Sequence, residues 1–215
     1  MNPSANGVAP PSDGDALRRY YRLHAPLYDA TRWSFLFGRT GLVTLARQRQ
    51  PGVRRILEIG CGTGKNLESI ARAFPEAEIR GLDLSAEMLE QAGKRVRPLG
   101  DRVRLLHQAY DHPVGGGEGP FDLVVLSYCL TMINPGYDRV LATCRQDLSP
   151  EGLLAIVDFH DSPVHAFRKW MGVNHVRMEG QIQKTLRAQG WRPEFEKVSP
   201  AYGGLWRWLT YLGRI

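Results

Sequence analysis

Five short apolar runs alternate with helical stretches between Arg55 and Phe159, and this alternation constrains the fold more than any other feature of the chain. Arg55 to Ile59 reads as a first strand, followed by a glycine-rich turn and a helix from about Lys65 to Phe74. Glu78 to Leu82 is a second strand ended by Asp83, and Ser85 stands where an N-cap starts a helix running to about Arg97. Val103 to Leu106 is a third strand. Phe121 to Ser127 is a near-continuous apolar run of the kind a strand buried on both faces needs. A helix from about Gly136 to Leu148 leads to a fifth strand, Leu153 to Phe159. Strands that alternate with helices pair in parallel, because each connection must cross over the sheet. The predicted architecture is therefore α/β, a doubly wound, mostly parallel sheet. Beyond it the sequence predicts a helix around Ile182 to Gln189 and a closing strand pair near Glu194–Ser199 and Trp206–Leu212.

At 215 residues the chain is one domain with a small addition. Residues 1–14 read as a loose tail, 15–52 as an N-terminal helical cap, and 53–215 as the sheet domain. Hydrophobic residues at 43% supply a core, and no apolar run approaches the roughly 20 residues of a bilayer span. The first residues show no signal peptide, and three cysteines without a C-x-x-C pair fit a reduced, cytoplasmic setting.

The net charge of +6 is unevenly distributed. Residues 1–55 and 162–215 each carry +6, whereas residues 56–161 carry −6. A basic chain suggests an anionic partner, and this one places the positive charge at its two ends, beside aromatic residues.

The sharpest local signal is Glu58-Ile59-Gly60-Cys61-Gly62-Thr63-Gly64, where the first strand turns into a helix. Glycines let the backbone turn tightly and approach a ligand. Asp83, at the end of the next strand, is placed to accept the hydroxyls of a ribose. The glycine spacing differs from the G-x-G-x-x-G of dinucleotide folds. It resembles the nucleoside-binding core of class I S-adenosylmethionine-dependent methyltransferases, whose E-x-G-x-G-x-G pattern is matched at Glu58, Gly60, Gly62 and Gly64. That resemblance implies a Rossmann-like methyltransferase sheet with S-adenosylmethionine across the carboxyl ends of the first strands. Glu58 and the backbone of Gly60, Cys61 and Gly62 would hold the methionine end, and Asp83 the ribose. Leu84 and Met88 would flank the adenine, with Gln108-Ala109 offering a polar contact to its amine. Gly64, Asn66 and Ser127 complete the expected cofactor set. Methyl transfer from a sulfonium depends mainly on in-line alignment, and the six histidines show no metal-ligand spacing. No metal is expected.

The stretch from Tyr20 to Arg32, then Phe37-Gly38-Arg39, Ser127 to Ile133, and Val157-Asp158-Phe159 resemble small bacterial lipid N-methyltransferases, above all those that complete a betaine lipid by trimethylating diacylglyceryl-homoserine. The resemblance implies an N-methyltransferase on a lipid headgroup amine, peripheral at the inner face of the membrane. Phosphatidylethanolamine N-methyltransferases share much of the pattern. Aromatic faces hold a quaternary ammonium by cation–π attraction, and Tyr20, Tyr21, Tyr28, Trp33 and Tyr128 form the pool. Tyr128 and Tyr28 are the expected catalytic-site aromatics. His160, or Asp161 beside it, is the candidate proton acceptor. Arg18, Arg19, Arg22, Arg32 and Arg39, with Arg168-Lys169-Trp170 and Trp206-Arg207-Trp208, would meet an anionic bilayer. Three rivals stay open: a methyltransferase for a soluble small molecule, a nucleic-acid-modifying protein, and a non-catalytic cofactor-binding module. No nucleic-acid motif follows the fourth strand, where Ser127-Tyr128-Cys129 stands, so a nucleic-acid partner is not expected. The sequence leaves the oligomeric state open.

Overall fold

The computed structural model describes residues 35–215. The expectations resting on Tyr20, Tyr21, Tyr28, Trp33 and the arginines from Arg18 to Arg32 lie outside the described residues, as do the tail and the start of the cap.

The first described helix, α1 (Arg39–Arg49), precedes β1 (Arg55–Ile59). Then follow α2 (Lys65–Ala73), β2 (Glu78–Asp83), α3 (Ala86–Val96) and β3 (Val103–His107). The second half comprises β4 (Phe121–Ser127), α4 (Tyr137–Asp147), β5 (Leu148–Asp161), α5 (His165–Val173), α6 (Gln181–Ala188), β6 (Arg192–Ala201) and β7 (Trp206–Arg214). All seven strands form one sheet in the order β3-β2-β1-β4-β5-β7-β6. Strands β1 to β5 pair in parallel, while β7 runs antiparallel to both β5 and β6. The Rossmann-like α/β architecture predicted from the alternation is the one observed.

Each sheet face has its own core. On one, Ile56, Leu123, Val125, Ala155 and Val157 pack with residues of α1, α2 and α3. On the other, Leu57, Val124, Leu126, Leu154 and Ile156 pack with residues of α4 and α6. The strands alternate between these faces, so burial on both sides explains their near-continuous apolar runs. Between β1 and β4 the strand order reverses, and the carboxyl ends of these strands diverge into a crevice where α/β folds bind ligands.

Ser85 caps α3 as expected, its Oγ accepting the Met88 N–H at 3.2 Å. The structure adds α5, which the sequence did not predict. It also starts β5 at Leu148, ahead of the expected start at Leu153.

Candidate active site

The glycine turn closes tightly on β2. The Gly60 and Cys61 N–H groups both donate to the Leu82 carbonyl, at 2.8 and 3.0 Å, and the Gly62 N–H donates to Asp83 Oδ2 at 2.7 Å. These three amides hold the turn, so a contact from the Gly60–Gly62 backbone to the methionine end would fall to its carbonyls. Two glycines are required for separate reasons. Gly62 has a φ of +54° and nothing within 4 Å of where a side chain would begin. Gly64 has a φ of +77°, and a Cβ there would stand 3.0 Å from the Ala92 Cβ on α3. The first keeps the crevice open and the second lets α2 approach α3.

Glu58 is the unusual group. It ends β1 wholly buried, and Asn66 Nδ2 donates to its Oε1 at 2.7 Å. Its Oε2 is buried without a hydrogen-bond partner among the described residues. Burial pushes its pKa up to about 7, against the lowering charge of Arg39 and the Asn66 bond. A buried carboxylate oxygen without a donor is costly. An ammonium placed there would satisfy it, so the residue fits the amino end of S-adenosylmethionine.

Asp83 lies beside it. Besides Gly62, the Ser85 N–H donates to its Oδ1 at 3.0 Å. Burial raises its pKa, and the N–H groups of Ser85 and Gly62 act the other way. A carboxylate accepts about four hydrogen bonds, so two backbone donors leave capacity for a vicinal diol. Gln108 and Ala109 follow β3, with the Gln108 N–H donating to the Asp83 carbonyl at 3.2 Å. Leu84 and Gln108 are half-buried and Ala109 is exposed, whereas Met88 and Cys61 are buried.

Arg39 is a site residue that the sequence offered only as part of a basic surface. Its Nε donates to Ser127 Oγ at 2.8 Å, and its charge acts on Glu58. The structure thus brings a guanidinium from the first turn of α1 to the ends of β1 and β4. Its remaining nitrogens have no hydrogen bond among the described residues, and they would suit a carboxylate.

The Tyr128 ring lies edge-on to Phe159, 4.8 Å between centroids, and its hydroxyl donates to the Phe37 carbonyl at 2.7 Å. His160 lies at the irregularity of β5 between Phe159 and Asp161, packed against Gly180 at the start of α6, and its Nε2 is 3.9 Å from Asp161 Oδ2. Burial lowers its pKa. No hydrogen bond or ion pair links it to Glu58 or Asp83 among the described residues. The two other interfacial anchors also divide. Trp170 is exposed, but Trp206 is wholly buried, Trp208 stacks on Phe37 at 5.4 Å, and Arg207 pairs with Asp161.

Residues 56–152 match the family model described as a methyltransferase domain. A trans-aconitate 2-methyltransferase of Streptomyces avermitilis is 33% identical over 135 residues, which are 62% of this chain and 49% of that relative. The chain therefore spans about half the length of that protein. A demethylmenaquinone methyltransferase of Thermus thermophilus is 28% identical over 82% of this chain and 83% of its own length. Among solved structures, the 1,6-didemethyltoxoflavin-N1-methyltransferase of Burkholderia thailandensis, with its substrate and S-adenosylhomocysteine bound, superposes with a TM-score of 0.73. It covers 99% of this chain and 93% of its own, at 18% identity. The fold is that of the class I S-adenosylmethionine-dependent methyltransferases.

These names correct the expectation about the substrate. They refer to trans-aconitate, a demethylmenaquinone and a didemethyltoxoflavin, not to a diacylglyceryl-homoserine or phosphatidylethanolamine headgroup. The lipid substrate, the betaine-lipid assignment and the anionic membrane partner are set aside with it. No described helix is long and apolar enough to cross a membrane.

Proposed function

We propose that this chain transfers the methyl group of S-adenosylmethionine to a small molecule. The observation that carries the reading is the buried Oε2 of Glu58 near the end of β1, which has no hydrogen-bond partner among the described residues. Glu58 takes the ammonium of the methionine moiety and Arg39 its carboxylate, so the two ends of one zwitterion meet opposite charges. Asp83 takes the ribose hydroxyls. Leu84, Gln108 and Ala109 border the adenine, and Asn66 and Ser127 hold Glu58 and Arg39 in place. When bound, the cofactor supplies an electrophilic methyl group on a sulfonium.

The chain's own contribution is alignment. Tyr128 shapes the acceptor side through its bond to the Phe37 carbonyl. Nitrogen is the acceptor atom we retain. With no hydrogen bond or ion pair from His160 to Glu58 or Asp83 among the described residues, a nitrogen that is already neutral at the working pH is favoured over an ammonium, since its lone pair needs no prior deprotonation. The solved toxoflavin neighbour is named for transfer to N1, which supports this choice.

The test is incubation with methyl-labelled S-adenosylmethionine and separate pools of small acids, quinols and nitrogen heterocycles, read by mass spectrometry. Label in a discrete small molecule supports the reading. No transfer from a protein that binds the cofactor would leave a binding module in its place.

A further inference from the structure

The opposite end of the sheet carries a second charged constellation. Arg55, Arg80 and Arg104 stand near the amino-terminal ends of β1, β2 and β3, and Arg80 and Arg104 are direct register partners. Like charges opposed on neighbouring strands repel. One carboxylate, Glu118, answers all three. Arg80 Nη2 hydrogen-bonds its Oε2, Arg104 Nη1 is 3.7 Å from its Oε1, and Arg55 Nη2 is 4.0 Å from its Oε2. Only the first of these is a hydrogen bond, and the buried Arg55 Nη2 has no acceptor among the described residues.

The exposures are unequal. The Arg80 and Arg55 side chains are 13% and 19% exposed, whereas Glu118 is 56% exposed. The two arginines are fixed in place: their guanidinium carbons sit 5.5 and 5.1 Å from the Phe121 ring centroid, and Arg80 Nη1 donates to the Val114 carbonyl at 2.9 Å. The carboxylate is not fixed in the same way. The backbone of its turn, Gly115-Gly116-Gly117-Glu118-Gly119, is held by Arg55 Nη1 through the Glu118 and Gly119 carbonyls and by Asp147 through the Gly115 N–H, but among the described residues the carboxylate itself has one hydrogen bond, from Arg80. A small cavity lies between these groups, lined also by Glu78, Asp101 and Arg102.

We propose that this cavity is a phosphate site, separate from the cofactor crevice, and that Glu118 is its internal occupant. A phosphate group has more accepting oxygens than one carboxylate, and it would reach the Arg55 Nη2 that Glu118 leaves unbonded. Its binding displaces the Glu118 carboxylate outward by rotation about the side-chain bonds, while Arg55 Nη1 keeps the backbone of the turn in place. Arg55 opens the strand that Glu58 and Ile59 close, so the two sites lie roughly 13 Å apart along β1. The ligand is either free phosphate or the phosphate of a small monoester.

Calorimetry at matched ionic strength tests this with inorganic phosphate and with glycerol 3-phosphate, each against chloride. The proteins are the wild type, Arg104→Gln and Glu118→Gln, with thermal melts to verify folding. Saturable phosphate binding is expected. It should weaken at least fivefold in Arg104→Gln and tighten severalfold in Glu118→Gln, with S-adenosylhomocysteine affinity unchanged within twofold. Tighter binding of glycerol 3-phosphate identifies a monoester, and equal binding identifies free phosphate. No saturable binding by the wild type and Glu118→Gln, or equal affinity in all three proteins, overturns the proposal.

Discussion

Asn66 Nδ2 donates to Glu58 Oε1 at 2.7 Å, from the second residue of α2 back to the end of β1. This bond fixes the plane of a wholly buried carboxylate, whose other oxygen has no donor among the described residues. Removing the bond should release Glu58 without removing its charge. Asn66→Ala is expected to weaken S-adenosylhomocysteine binding about 5- to 20-fold, equivalent to roughly 1–2 kcal/mol. Equilibrium titration measures this, and an unchanged affinity would separate Asn66 from the site.

The raised pKa of Glu58 makes both stability and binding depend on pH. Burial takes it from 4.5 to about 7 in the folded, cofactor-free protein. Between these values the folded state holds a proton that the unfolded chain has lost. Stability from the neutral carboxyl is therefore full below pH 4.5 and is lost as pH rises to 7. Glu58→Gln should accordingly gain melting temperature relative to the wild type between pH 5 and pH 8. The cofactor's ammonium favours the ionised form, so wild-type affinity should rise with pH toward 7, by at most about tenfold per unit, and then level off. Melts and titrations at pH 5, 6, 7 and 8 check both slopes.

Gly64 and Gly62 should respond differently to alanine. At Gly64 the new Cβ meets Ala92 at 3.0 Å in addition to a φ of +77°. Gly64→Ala is expected to cost about 2–4 kcal/mol by denaturant unfolding, combining overpacking with backbone strain. Gly62→Ala should cost about 1–2 kcal/mol, from the left-handed backbone alone.

The Tyr128 hydroxyl joins the carboxyl end of β4 to the segment before α1 through the Phe37 carbonyl. Tyr128→Phe should lose about 1 kcal/mol of stability and reduce methyl transfer more than cofactor binding. Parallel measurement of turnover and S-adenosylhomocysteine affinity distinguishes this from a purely structural role.

Much of the fold was legible because each strand of the parallel half is a short apolar run ended by punctuation. Phe121 to Ser127 was delimited to the residue, and Asp83 and Ser85 fixed the end of β2 and the start of α3. The helix His165–Val173 was not legible, since its N-cap Val164 makes no side-chain cap and Gly172 stands in its last turn. Glu58, Asp83 and the glycines could be proposed together because they lie within one strand–turn–helix unit and the next strand. Arg39 was read only as surface charge because its partner Ser127 is 88 positions away. His160 was read from its position just past an apolar run, which does not tell where a side chain points; the structure packs it against Gly180. The aromatic, basic ends suggested a lipid surface, but Trp206 is core and Arg207 pairs with Asp161.

The central claim is that Glu58 and Asp83 form a binding site for S-adenosylmethionine. Calorimetric titration of S-adenosylhomocysteine into the wild type, Glu58→Gln and Asp83→Ala, at pH 7.5, tests it most directly. The account predicts one site per chain, with affinity reduced about 10- to 100-fold in each variant while both stay folded. Wild-type affinity retained by both folded variants, or no binding to the wild type, would contradict it.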